Sequence, residues 1–244
     1  MGSGYYAAFS GLLARTEALD LAASNLSNSG TTGFRAEREY FRDAIMGPDA
    51  LASQLNRTVN DFSVLGGSQI DLSEGPLLPT GNPLDLAIQG QGFFAVRTAA
   101  GIRYTRNGEF QRASDGLLIT AQREPVLDSK QQPIRIPTGE IAISSDGVIS
   151  VGGAVAASLG LFTFQSPESL VPEGTNRYLA VKGALPIPAA ASIRQGSLEG
   201  SNQNVIQGTL QLILVQRQAE MMQKAITLFS NEFDKTAGEE LPKV

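Results

Sequence analysis

The 244-residue chain contains no cysteine, no histidine and no tryptophan. Without thiolates or imidazoles, cysteine nucleophiles, histidine-based triads and the usual zinc sites are excluded. No run of about 18 apolar residues occurs, so no membrane-spanning helix is expected. No Lys or Arg precedes Arg15, so the basic start of a cleaved signal peptide is missing. Gly2 does not open a myristoylation pattern, because Tyr6 stands where Ser or Thr is required. Charge is also sparse: 19 basic and 24 acidic residues are scattered to a net of -5, which is no nucleic-acid footprint. What is present is a 42% apolar fraction, enough to fill a core.

The clearest pattern lies near the end. Val205, Gly208, Leu212, Val215, Ala219, Met222, Ile226, Phe229 and Phe233 recur at steps of three and four, which predicts a helix with a heptad seam. Gln211, Gln216, Arg217, Gln218, Glu220, Gln223 and Lys224 lie between them, predicting a wet opposite face with a Glu220–Lys224 pair. Asn202 or Asn204 is the expected cap and Gly238 the expected end, with Pro242 beyond. Ordering such a helix costs about 1–2 kcal/mol per residue, more than its seam returns alone. A partner is offered by Tyr5, Phe9, Leu12, Thr16, Leu19, Ala23 and Leu26, which repeat the spacing in a helix expected from about Ser3 to Asn28.

Between the helices the period changes. Residues 34–74 read as a connecting arm punctuated by Gly47-Pro48, Asn60-Asp61 and Gly66-Gly67. From about Gly75 to Ala184, short alternating segments with glycine-containing turns predict a compact antiparallel β domain. Leu84 to Gln89, Phe93 to Arg97, Ile102 to Arg106, Glu109 to Arg112, Leu117 to Thr120, Ile141 to Ile143, Val148 to Val151, Leu159 to Phe164 and Arg177 to Val181 are the expected strands. Asn107-Gly108 predicts a tight hairpin, and Asp115-Gly116 and Asp146-Gly147 mark further turns. The fold class is therefore α+β: terminal heptad helices (1–33 and 185–244, each with its loop or linker) flanking a central β domain at 75–184.

Candidate catalytic carboxylates are Asp85, Glu109, Asp115, Asp128, Glu140 and Asp146, and no spacing singles out a glycosidase-like pair. Arg106 and Glu109 flank the expected turn and are read as a cross-strand or intersubunit ion pair, of small weight if exposed. Gly90-Gln91-Gly92 is not a phosphate loop, since no third glycine follows and a strand comes next.

Three runs carry a specific resemblance. The first combines Ser10-Gly11-Leu12 with Asn25-Leu26-Ser27-Asn28-Ser29-Gly30-Thr31-Thr32-Gly33-Phe34-Arg35. The second extends from Thr80 through Gly90, Gly92 and Phe93 to Val96, then Tyr104-Thr105-Arg106-Asn107-Gly108-Glu109-Phe110-Gln111. The third is Gly196-Ser197-Leu198-Glu199-Gly200-Ser201-Asn202-Gln203-Asn204. In order and spacing these resemble the signatures of flagellar basal-body rod and hook proteins. Ser27 stands where the family usually has Ala, and Gln203 where it has Val.

The resemblance implies a structural, non-enzymatic subunit without cofactor, metal or small-molecule substrate. Such a chain is exported through the flagellar type III apparatus and assembles in the periplasm, with copies of itself and other rod proteins, into a helical tube around the export channel. The seam residues are then the expected assembly interface. Length excludes the longer hook protein, and the short arm with Tyr104-Thr105-Arg106-Asn107-Gly108 favours the proximal over the distal rod subunit. The contrasting expectations are a self-contained secreted β domain that binds glycan or peptide, and a cell-wall hydrolase.

Overall fold

The computed structural model describes residues 2–42 and 64–239, which divide into two compact units. In chain order the elements begin with α1 (Gly2–Ser27), β1 (Glu37–Arg42), β2 (Val64–Ile70), β3 (Leu77–Pro79), β4 (Leu86–Gln89), β5 (Phe93–Thr98), β6 (Gly101–Thr105), β7 (Phe110–Arg112) and β8 (Leu118–Thr120). They continue with β9 (Ile141–Ile143), β10 (Val148–Val151), β11 (Ala154–Ser158), β12 (Leu161–Thr163), β13 (Leu170–Glu173), β14 (Arg177–Ala180), β15 (Ile187–Pro188), β16 (Ser192–Gln195), β17 (Ser197–Glu199) and α2 (Val205–Glu239). The chain is α+β with a central, largely antiparallel β region. Among the described residues no helix is long and apolar enough to cross a membrane.

One unit holds residues 27–36 and 70–204. Its largest sheet has the order β13-β14-β6-β5-β12-β15, with a three-stranded sheet β11-β10-β9 and the pairs β16-β4, β17-β3 and β7-β8. β5 is the centre of this construction. Phe93, Phe94, Ala95 and Val96 are all buried, so the strand is covered on both faces and reads as a continuous apolar run. Phe94 and Val96 enter one cluster with Leu86, Ile88, Phe110, Leu118 and Ile149. Phe93 and Ala95 enter the other with Tyr104, Leu127, Phe162 and Tyr178. Edge-on aromatic contacts tie each cluster, Phe94 to Phe110 at 5.0 Å and Phe93 to Tyr178 at 5.4 Å between ring centroids.

Two turn expectations hold and one does not. Gly116 (φ 83°) joins β7 to β8, and Gly147 (φ 85°) joins β9 to β10. Asn107-Gly108, by contrast, is no hairpin. β6 pairs with β5 and β14, while β7 pairs with β8. Gly108 is required instead for close approach: a Cβ there would stand 1.8 Å from the Leu86 carbonyl oxygen, which accepts no such neighbour. The β unit also extends beyond 75–184, because β16 and β17 pair back onto β4 and β3.

The other unit comprises residues 1–26, 37–69 and 205–244. Its helix α1 covers Gly11, Ala14, Ala18, Ala22 and Asn25, a face of small residues, while Phe9 and Leu13 are exposed and Leu12, Leu19 and Leu26 are half-buried. The expected seam through Phe9, Leu12 and Leu19 is therefore not the covered face of the single chain. Asn25 supplies the reason. Its amide donates to the Glu37 carbonyl at 2.7 Å and its oxygen accepts from the Glu37 N–H at 3.0 Å, a two-bond clamp that turns the Asn25 face toward β1.

In α2 the expected seam is the covered face: Gly208, Val215 and Ala219 are buried and Leu212, Met222 and Ile226 half-buried, although Val205 is exposed. The side chains of Tyr5, Phe229 and Phe233 lie outside the described residues, as do Asn60-Asp61, Gly47-Pro48 and Pro242. The opposite face is not wet. Ile206, Leu210, Ile213, Leu214, Met221 and Leu228 are exposed there, interrupted by Arg217 and Lys224. At 3.6 residues per turn the glutamines and Glu220 fall on the flanks, not opposite the seam. Glu220 accepts from Gln216 at 3.3 Å, and Lys224 makes no ion pair among the described residues. The helix runs to Glu239, one residue past the expected stop at Gly238.

Candidate functional site: a buried arginine–glutamate staple

The three signature runs, distant in sequence, meet at Glu199. This carboxylate is buried in β17, with Arg35 Nη2 2.7 Å from Oε1 and Arg106 Nε 3.2 Å from Oε2; all three side chains are 2% exposed or less. Local backbone geometry places each of them. After α1 ends, Thr31 N–H donates to the Asn28 carbonyl at 3.0 Å, and the Thr31 hydroxyl donates to the Asn28 side-chain oxygen. Gly33 follows at φ 69°, its N–H donating to the Glu199 carbonyl at 2.8 Å. A Cβ on Gly33 would lie 2.2 Å from the Asn107 nitrogen, so only glycine lets the loop touch the second signature. Phe34 is buried beside this turn and Arg35 N–H donates to the Tyr178 hydroxyl at 3.2 Å.

Arg106 follows β6. Its Nη2 donates to the Gly90 carbonyl at 2.9 Å, and its guanidinium lies 5.8 Å from the Phe93 ring centre. Gly90 has φ 100°, and Gly92 packs with its Cα side toward Ala189. Thr105 bonds the Asn176 carbonyl at 2.6 Å and receives the Asn107 N–H at 3.0 Å, fixing the turn that carries Arg106. Burial, opposed by Glu199 and reinforced by the neighbouring Arg35, lowers the Arg106 pKa to about 10. The expected Arg106–Glu109 pair is thus replaced by Arg106–Glu199. Glu109 lies on the surface, held by its backbone in a bridge with Asp85.

The third run closes the site. Gly196 (φ 71°) donates its N–H to the Asp85 carbonyl at 2.8 Å, turning the chain from β16 into β17. Asn202 does not cap α2. Its oxygen accepts the Ala36 N–H at 2.7 Å and its amide donates to the Asp71 carbonyl at 2.9 Å and the Ser73 carbonyl at 3.1 Å. Ser201 accepts from Gln203 N–H at 3.1 Å, and Asn204 occupies the position before the helix. Arg35 also donates to the Ser73 carbonyl, and Gly75 N–H donates to Glu199 Oε1 at 3.0 Å. The motif residues Tyr104 and Phe110 belong to the two hydrophobic clusters.

Sequence reasoning found the motif runs, Arg35 among them, but not their convergence, and it missed Ser73, Gly75 and Tyr178 as participants. The candidate carboxylates, meanwhile, occupy turn roles: Asp128 accepts the N–H groups of Lys130 and Gln132 at 2.8 Å each, Asp115 accepts from Leu117 and Asp146 from Ser144. Asp85, 5% exposed, accepts from Asn82 at 2.9 Å.

Residues 87–151 match the family model for the flagellar hook protein FlgE/F/G D1 domain. The chain is 32% identical to the flagellar basal-body rod protein FlgF of Mesorhizobium japonicum, over 98% of this chain and 99% of that one. The chain belongs to the flagellar basal-body rod proteins. It is also 31% identical to FlgF of Caulobacter vibrioides over the whole of both chains. Rod protein FlgG of Agrobacterium fabrum is 31% identical over 90% of this chain and 92% of its own. In this rod protein, then, the signatures are the parts of one buried structural staple.

Proposed function

We propose that the chain is a structural subunit of the flagellar basal-body rod, of the FlgF, proximal kind rather than the distal FlgG kind, and not an enzyme. It is exported through the flagellar type III apparatus and polymerises in the periplasm with its own copies and other rod proteins. The resulting tube transmits torque and encloses the export channel. The observation that carries this reading is α2, apolar on two opposite faces, in a chain whose likeness to FlgF runs end to end. A helix of that kind has a covered face and a second one left over, which fits the inner wall of a polymer.

The outer face has a complement. α1 exposes Phe9 and Leu13 and, one to two turns on, Glu17 and Asp20. α2 exposes Leu210 and Leu214, followed by Arg217 and Lys224. Laid parallel, α1 of one copy sets its apolar pair beside the apolar pair of α2 in the next, and its two carboxylates beside the two cations. The terminal helices thereby form a shared coiled-coil-like layer of the tube.

Amide hydrogen exchange on the chain at low concentration tests the assembly. Free exchange over residues 3–28 and 204–237, with 84–181 protected, is the expected result, the helices gaining protection only in the polymer. Protection of all three regions in a monomer that never polymerises would overturn it, in favour of a self-contained binding domain.

A further inference from the structure

The staple leaves two buried cations short of acceptors. Arg35 Nε, Arg35 Nη2 and Arg106 Nη1 are buried without a hydrogen-bond partner, as is the acceptor Glu199 Oε2, although Arg35 Nη2 and Arg106 Nε stand 2.7 and 3.2 Å from the Glu199 carboxylate. Both arginines wall a recess of about 10 Å³, completed by Leu72, Gln91, Gly92, Phe93 and Thr163. Glu199, the carboxylate that pairs them, is not part of that wall. A buried N–H left unpaired is destabilising, more so when charged, so donors of two arginines beside one recess call for a further acceptor.

Size and charge restrict what that acceptor can be. Such a volume admits about one water-sized particle, which favours a monoatomic anion over phosphate, sulfate or a carboxylate. Two guanidiniums face a single buried carboxylate, and Glu74, the next acid that Arg106 senses, is exposed and already accepts the Gly90 N–H at 2.9 Å. The excess charge on the recess side is positive. Among the residues that line it, Arg35, Arg106, Gln91 and Thr163 carry N–H or O–H groups, a set that suits an anion.

We propose that this recess is a halide site, in which a single chloride accepts from Arg35 and Arg106 and completes the staple that joins the three signature runs. The ion then acts as a fourth member of the junction: two cations and two anions, with no buried charge left over. A subunit that folds outside the cytoplasm would thereby draw part of its stability from the surrounding salt, a specific effect distinct from screening.

Two measurements on the full chain test the site. Thermal unfolding is followed in chloride, bromide and isethionate at equal ionic strength. Above the dissociation constant, each tenfold rise in chloride should lift the midpoint by about 4 °C, with bromide effective and isethionate not. Crystals soaked in bromide should show an anomalous peak within hydrogen-bonding reach of Arg35 and Arg106. Arg106→Lys, which keeps the charge but removes the second donor, should abolish the halide dependence; if that variant does not fold, the bromide peak in the unaltered protein decides. Equal midpoints in all three salts with no bromide peak would overturn the proposal and leave the recess to water.

Discussion

Replacing Glu199 by Gln keeps the shape of the staple and removes its central charge. Arg35 and Arg106 then face each other as buried like charges: a neutral oxygen is retained at the Oε1 position, 2.7 Å from Arg35, while an NH2 donor replaces the Oε2 acceptor 3.2 Å from Arg106. Removing one partner of a buried pair costs about 3–5 kcal/mol because the remaining charge is uncompensated. Here two guanidiniums are uncompensated, while the glutamine oxygen still accepts from Gly75, so the expected loss is about 4 kcal/mol. For a chain of this size that lowers the unfolding midpoint by roughly 12 °C. Urea unfolding followed by near-ultraviolet circular dichroism reads it directly: with no tryptophan present, the buried Tyr104 and Tyr178 report on the second cluster. The triple variant Arg35→Met, Arg106→Met, Glu199→Leu should recover most of the loss, since apolar groups of similar volume replace buried ion networks at little cost. A loss below about 1 kcal/mol in Glu199→Gln would refute the staple as the junction of the β unit.

Gly108→Ala should prevent folding of the β unit or cost more than about 4 kcal/mol, because its Cβ would overlap the backbone of Leu86; a soluble variant with unchanged unfolding would contradict the close approach. The Ser144 hydroxyl, its main cause, holds the Asp146 carboxyl below the usual carboxylate range. A depressed folded value means stability that is present above the unfolded value of about 3.9 and is lost as pH falls through the folded one. Carboxyl NMR titration should therefore give Asp146 a midpoint below that of Asp in a peptide, and Ser144→Ala should raise it. Glu17→Lys with Asp20→Lys should block polymerisation of a chain whose β unit remains folded, and adding Arg217→Glu with Lys224→Glu should restore it; sedimentation scores both. No rescue by the second pair would remove the parallel register between copies.

Much of the fold was legible because its signals are local. The turns at Asp115-Gly116 and Asp146-Gly147 require positive φ at glycine, and β5 needs only a run of apolar residues, so neighbouring sequence suffices for both. The spacing of the last helix likewise picked out Gly208, Val215 and Ala219 as its covered face. Relatedness was legible too, since signature runs at the beginning, middle and end preserve order as well as composition.

Other features were decided only by tertiary contact. Asn107-Gly108 carries the strongest local hairpin signal, yet β6 found partners in β5 and β14, and the glycine serves an approach to Leu86 that no short window of sequence contains. The covered face of α1 was set by the clamp between Asn25 and Glu37, which favoured small residues over the larger ones that the spacing marked. Arg106 had an acid three residues away, and the fold gave it Glu199 instead, because a buried cation is stabilised by the carboxylate beside it in space. Local preferences and apolar spacing determined which elements form. Which charges meet, and which face each helix covers, depended on contacts between residues that only the folded chain brings together.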